Sequence, residues 1–228
     1  MKRSRTVVAP DPHERIVAAA AAVFAARGFE GARIDEIAER AGINKAMLYY
    51  HVGDKERLYS AVLVDSIERA LTLVRAAAAT AGPPGDKLQA ILDTFAAFGT
   101  SNPEFIPIML REVASGGRTL PDEMFLRMGA VFRVVADVLA EGVERGAFRP
   151  TDPLLTHVSL IGSLIYLLAT QPVRQRVARS SGLPVADHTP AHLARHIGNL
   201  FLHGLEAAPV ASAIPRKPVT RNRSGGSR

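Results

Sequence analysis

Two short stretches of helical spacing with a glycine between them leave the backbone little freedom from Ile34 to His51. Ile34-Asp35-Glu36-Ile37-Ala38-Glu39-Arg40-Ala41 reads as one helix and Asn44 through His51 as a second, joined by Gly42-Ile43. Helices this short share a core only if they cross closely and turn sharply. Ala38 is small enough for the crossing, and Gly42 can take the positive φ that the turn needs. Ile37, Ile43 and Leu48 fill the space between the helices, and Asn44 can accept from the free amides that open the second one. The pattern is a helix-turn-helix. Its second helix projects Asn44, Lys45, Ala46, Met47 and Tyr50, short or polar side chains beside a helix N-terminus, which suit a DNA major groove. Tyr49 and His51 flank that surface, and Lys55 lies in the first turn of the next helix, whose amides also favour phosphate.

The rest of the chain is helical in spacing, and no run alternates like a strand. Asp11-Pro12-His13-Glu14 opens a first helix: Pro12 suits the first helical position, and Asp11 and Glu14 are spaced for a capping box. Ile16, Val17, Ala20, Val23 and Phe24 form its apolar face, and Gly28 ends it. Gly53-Asp54 breaks and recaps the chain ahead of a helix over about 55–80, with Leu58, Val62, Ile67, Leu71 and Val74 inward. Beyond the loop Ala81-Gly82-Pro83-Pro84-Gly85, helices are expected over 86–100, 103–114, 121–145, 153–171 and 190–205. The expected fold is all-α, about nine helices. A basic N-terminal arm (1–10) precedes a three-helix head (11–60), a larger helical domain (61–206) and a basic tail (207–228).

Composition narrows the function. With no cysteine there is no disulfide framework, zinc ribbon, iron–sulfur cluster or thiol nucleophile. No P-loop, G-x-S-x-G or G-x-G-x-x-G occurs, so no enzyme and no cofactor is expected. The net charge of +6 rests mostly on Arg216, Lys217, Arg221, Arg223 and Arg228 in the tail. A solvated tail is the plainer reading of these, a weak sequence-independent grip on nucleic acid the other. The apolar stretch 154–170 is interrupted by His157, Ser159 and Ser163 and reads as a helix buried in protein rather than a membrane span. No signal sequence is read at the start, so a cytoplasmic protein is expected. His188, His192, His196 and His203 cluster late in the chain beside Leu193, Ile197, Leu200, Phe201 and Leu205, and are expected to rim an interface rather than bind metal.

The run I-A-x-x-A-G-I-x-K-x-x-L-Y-x-H-V-x-x-K-E-x-L, from Ile37 to Leu58, resembles the N-terminal domain of the TetR family of bacterial repressors. Arg27-Gly28-Phe29-Glu30-Gly31 is similar to the Gly-Phe/Tyr turn of that family, and the likeness covers about residues 13–63. It implies that Ala46, Met47 and Tyr50 touch bases and that Lys45, Tyr49, His51 and Lys55 touch phosphates. This chain departs from the pattern in four places. Arg33 stands where Ser or Thr is usual, a poor cap that still reaches a phosphate. Asn44 replaces Ser, Val52 replaces Phe, and Met47 is bulkier than the usual small residue.

The resemblance further implies a double-stranded DNA operator as partner, and a helical domain that dimerises and holds a small effector which releases the DNA. A regulator that ignores ligand or needs a co-repressor, and a non-specific nucleoid-type protein, are the alternatives. An apolar or aromatic effector would be lined by Phe95, Phe98, Met109, Phe132 and Tyr166, with Arg111 and His157 as polar exceptions; Glu112 beside Arg111 also reads as one half of a solvated charged pair. The helix over 153–171 is apolar nearly all round and needs burial on two sides. The homodimer interface is therefore expected at Leu160, Leu164, Leu167, Leu168, His196 and Leu200.

Overall fold

Prolines and short polar side chains start most of the helices. The computed structural model describes residues 11–184 and 188–206. Among them run α1 (Pro12–Gly31), α2 (Ile34–Ala41), α3 (Lys45–Val52), α4 (Lys55–Ala78) and α5 (Pro84–Ser101). They are followed by α6 (Phe105–Ala114), α7 (Asp122–Glu144), α8 (Pro153–Ala169), α9 (Gln171–Ser180) and α10 (Pro190–Leu205). The N-terminal arm, the basic tail with its alternative role as a grip on nucleic acid, and Asp187 lie outside the described residues. Asn44 accepts from the Met47 amide at 2.8 Å, Asp54 from Arg57 at 2.7 Å, Asp152 from Leu155 at 2.8 Å and Thr189 from His192 at 3.2 Å. Each satisfies a donor that its helix cannot. Asp11 makes no such bond, so the expected capping box does not form; Pro12 alone marks that end.

The chain has ten helices rather than nine among these residues, because the expected helix 153–171 is two. α8 stops at Ala169, and α9 leaves it at 61°. Pro172 has no N–H for the Leu168 carbonyl and crowds it, so the helix cannot run on. Arg174 closes the corner by donating to the Leu167 carbonyl. No single helix among the described residues is long and apolar enough to cross a membrane.

One apolar core runs from head to body. Ile16, Phe24, Ile37 and Leu48 fill the head; Leu58 and Leu63 of α4 continue it; Leu92, Met124, Leu139, Leu164 and Ile197 fill the body. The boundary expected near residue 60 falls inside α4, which passes unbroken from head to body. In the body, α5 packs on α10, and α7 on α4 and α8.

The corner after α7 is closed by Phe148, whose amide donates to the Gly142 carbonyl at 3.0 Å. Its buried ring lies where a Gly142 side chain would stand, with a Cβ meeting ring atoms at 1.9–2.7 Å. Gly142→Ala should therefore cost about 1–3 kcal/mol by overpacking. Thermal unfolding should show the midpoint lowered by several degrees, with the helical spectrum of the folded state unchanged.

Candidate nucleic-acid interface

Head geometry follows from how its helix ends are satisfied. Gly42 takes φ 67°, ψ 37°, and its amide donates to the Glu39 carbonyl while Ile43 donates to Ala38, a Schellman ending for α2. The Ala41 carbonyl, left over by that ending, accepts from Arg15 of α1, which also reaches Gly42 at 3.4 Å. Arg15 thus pins the turn to α1, a role the apolar pattern of α1 gives no hint of. The amphipathic spacing of α2 buries Ile37, Ala38 and Ala41, and Leu48 is the one residue of α3 that enters the core fully.

The remainder of α3 stands clear. Asn44, Lys45, Ala46, Met47, Tyr49 and Tyr50 are all exposed, Tyr50 by 83%. Arg33, at the N-cap of α2, makes no capping bond and is free to reach outward. Three expected phosphate contacts are already occupied or turned inward. Lys45 bridges Asp35 at 2.9 Å, and that hydrogen bond and charge hold its amine above the ordinary lysine range. Lys55 donates to the Glu30 carbonyl at 3.2 Å and lies 4.8 Å over the Phe29 ring, so it ties α4 to the end of α1. His51 is half-buried edge-on to Tyr50, and its Nε2 is buried with no partner among the described residues.

The body divides the expected effector residues. Phe95, Phe98, Met109 and His157 are buried, and Phe132 is half-buried with its ring 4.1 Å from that of His157. Two stand apart from that group. Tyr166 is 64% exposed, because helical rotation turns it to the opposite side of α8 from His157, Leu160, Ile161 and Leu164. Arg111 leaves the interior to donate to carbonyls of α1. Nor are Arg111 and Glu112 a solvated pair, since Glu112 is buried and accepts from Tyr59 at 2.5 Å. An open cleft of about 480 Å³ is lined by none of these; it lies between α1 and α4 beside Asn102 and Glu104.

The expected interface residues divide in the same way. Leu160 and Leu164 are core residues of the single chain, and Leu167 and Leu168 are partly buried against that core. The outward side of α8 is instead Leu154, Leu155, Val158 and Tyr166, with open space over Gly162. On α10, His196 and Leu200 do face outward. His188 and His192 stack at 4.6 Å, and no group of three or more candidate metal ligands occurs among the described residues.

Residues 16–62 match the family model for bacterial regulatory proteins of the tetR family, and residues 84–195 match the tetracyclin repressor-like C-terminal domain. The chain is 30% identical over 199 residues to the transcriptional repressor NicS of Pseudomonas putida, covering 84% of this chain and 91% of NicS. It is 30% identical over 152 residues to the regulator RutR of Escherichia coli K12, covering 67% and 70% respectively. Among solved structures, PfmR of Thermus thermophilus superposes with a TM-score of 0.67 at 24% identity, covering 84% of this chain and 99% of PfmR. AibR, solved with isovaleryl coenzyme A and operator DNA, superposes with a TM-score of 0.66 at 21% identity, covering 86% and 99%.

Burial pushes the His157 imidazole down to about 4 from an ordinary 6.5. Between those values the unfolded chain holds a proton that the folded chain does not. The contribution to stability is therefore complete above pH 6.5 and is lost as pH falls toward 4, by at most about 1.4 kcal/mol per unit. Urea unfolding at pH 7 and pH 5 should show a smaller acid loss in His157→Leu than in the native chain.

Proposed function

The chain belongs to the tetR family of bacterial regulatory proteins and is a DNA-binding transcriptional repressor of that family, and we propose that it works as a homodimer on a roughly palindromic operator. The observation that carries this is α3: a capped helix with Leu48 fixed in the head core and Lys45, Ala46, Met47, Tyr49 and Tyr50 all presented outward. Ala46, Met47 and Tyr50 would meet base edges. Arg33 and Tyr49 would meet phosphates directly. Lys45 would do so by exchanging Asp35 for phosphate, and Lys55 through the donors left after its bond to Glu30. His51 would first have to turn outward.

One head reads one half-site, so a palindrome calls for two. The unpartnered outer side of α8, with Leu155 65% exposed, and the outward residues of α10 support a two-fold interface there. A small apolar or aromatic effector would enter the body beside Phe132 and His157, where the imidazole Nδ1 is buried without a partner. It would favour a dimer whose heads no longer match the operator. The domains would be a reading head, through about residue 60, and an effector-binding and dimerising body. The cytoplasm, where its operator lies, is the proposed location.

Selection of bound sequences from random duplex DNA at about 0.15 M salt, where phosphate-only binding is weakened, tests this. A palindromic consensus is expected. Tyr50→Ala should change the preferred bases, whereas Arg33→Ala should weaken all sites alike and lower the salt slope by about one. Enrichment of no sequence, together with a monomer in solution, would overturn the proposal. Loss of operator binding on adding an effector separates an induced repressor from one that ignores ligand or needs a co-repressor.

A further inference from the structure

The helical geometry of α1 stops at Gly28, which takes φ 72°, ψ 174°, and a single turn follows to Gly31. That corner carries the next amides off the helix axis and leaves carbonyls of the last regular turn open to an outside donor. Arg111 of α6 supplies it. Its Nη1 donates to the Phe24 carbonyl at 3.2 Å and to the Ala25 carbonyl, and its Nη2 to the Ala26 carbonyl at 3.3 Å. The side chain runs over the corner itself, since a Cβ on Gly28 would lie 3.8 Å from Arg111 Cδ. A guanidinium at a helix C-terminus meets the negative end of the helix dipole and makes charge-assisted bonds.

The neighbouring residue grips the same segment from inside. Glu112 is 3% exposed, and its Oε1 accepts from Tyr59 at 2.5 Å and from Thr119. The Tyr59 ring lies 4.7 Å from Phe24 and 5.0 Å from Phe29, on either side of the Gly28 corner. Consecutive residues of one body helix therefore hold the end of α1, one by its backbone and one through an aromatic cluster. Along the chain the head joins the body through α4 alone, and the shared apolar core beneath the corner is free to adjust in angle where the polar clamp is not.

We propose that Arg111, with the Glu112–Tyr59 pair as a second point of attachment, sets the angle of the head on the body and so decides which half-site spacing the dimer accepts. Arg111 is a positioning residue: it acts through α1 and touches no DNA. The inference rests on the operator-binding dimer proposed above. In such a dimer the bodies are fixed to each other, and the separation and relative rotation of the two α3 helices follow from the head angle. DNA measures that angle closely, because each base pair inserted between half-sites turns them by roughly 34°. A lysine at 111 would keep the charge but lose the planar fork that reaches successive carbonyls.

The test uses the full chain on a series of operators whose half-sites are moved apart or together by single base pairs. The native protein should prefer one spacing steeply. Arg111→Gln should shrink that preference by about tenfold while keeping the half-site consensus, Arg111→Lys should fail to restore it, and Tyr59→Phe should reduce it less. An equal loss of affinity on every spacing, or none on any, would overturn the proposal. A second readout needs neither operator nor dimer. The chain has no cysteine, so spin labels placed by Tyr50→Cys in the head and Ala140→Cys in the body, with the labelled chain diluted in excess unlabelled native chain, report the head-to-body distance within one subunit. That distribution should broaden in Arg111→Gln and in Tyr59→Phe, and an unchanged width in both would refute the clamp whatever DNA the protein binds.

Discussion

The carbonyls that a helix cannot satisfy at its own C-terminus organise the head of this protein. Two such ends occur in the head, at Ala41 and around Ala25, and each is met by an arginine from another helix. Arg15 carries the orientation of α1 into the turn before α3; Arg111 carries that of α6 into α1. The Ala41 and Phe24 contacts are part-buried and those at Ala25 and Ala26 are exposed, so what the two arginines add is chiefly direction, through charge-assisted bonds of fixed geometry. The position of the reading helix is thus transmitted through backbone acceptors, and the apolar core beneath it supplies cohesion rather than direction.

Two lysines of the head are engaged within the chain. Lys45 is paired with Asp35 at the surface, where an ion pair is weak and exchangeable. Lys55 is used differently, with a carbonyl on one side and the Phe29 ring on the other. The first is a loose surface pair and the second a fixed strut between α4 and the end of α1.

α8 shows how one helix serves two surfaces. His157, Leu160, Ile161 and Leu164 face the core, while Leu154, Leu155, Val158 and Tyr166 face away from it. Burying the second side would remove several large apolar side chains from water, each worth about 1.5–3 kcal/mol when fully covered. The corner at Pro172 ends that surface and sends α9 off with no fully buried residue.

Much of this was legible along the chain. Ile34 to Val52 could be read as two helices and a turn because the signals are local: a glycine that takes positive φ, an asparagine three residues before the amide it caps, and apolar residues at helical spacing. The same locality placed α4, α5, α7 and α10 to within a few residues. The split of α8 from α9 was hidden by continuous apolar character, although Pro172 marked it. What could not be read was which side of a helix faces inward when every side is apolar, as for Leu160, Leu164 and Tyr166. The partner of a long polar side chain was equally out of reach. Arg111 and Glu112 look like a surface pair in sequence, yet they meet Ala25 and Tyr59, far away along the chain. Periodicity and capping arise between neighbours, so the sequence alone determined the helices, the turn and the kind of surface α3 presents. Facing and partnership arise from packing between distant segments, so the tertiary structure alone decided which apolar stripe is core and which helix ends the arginines close.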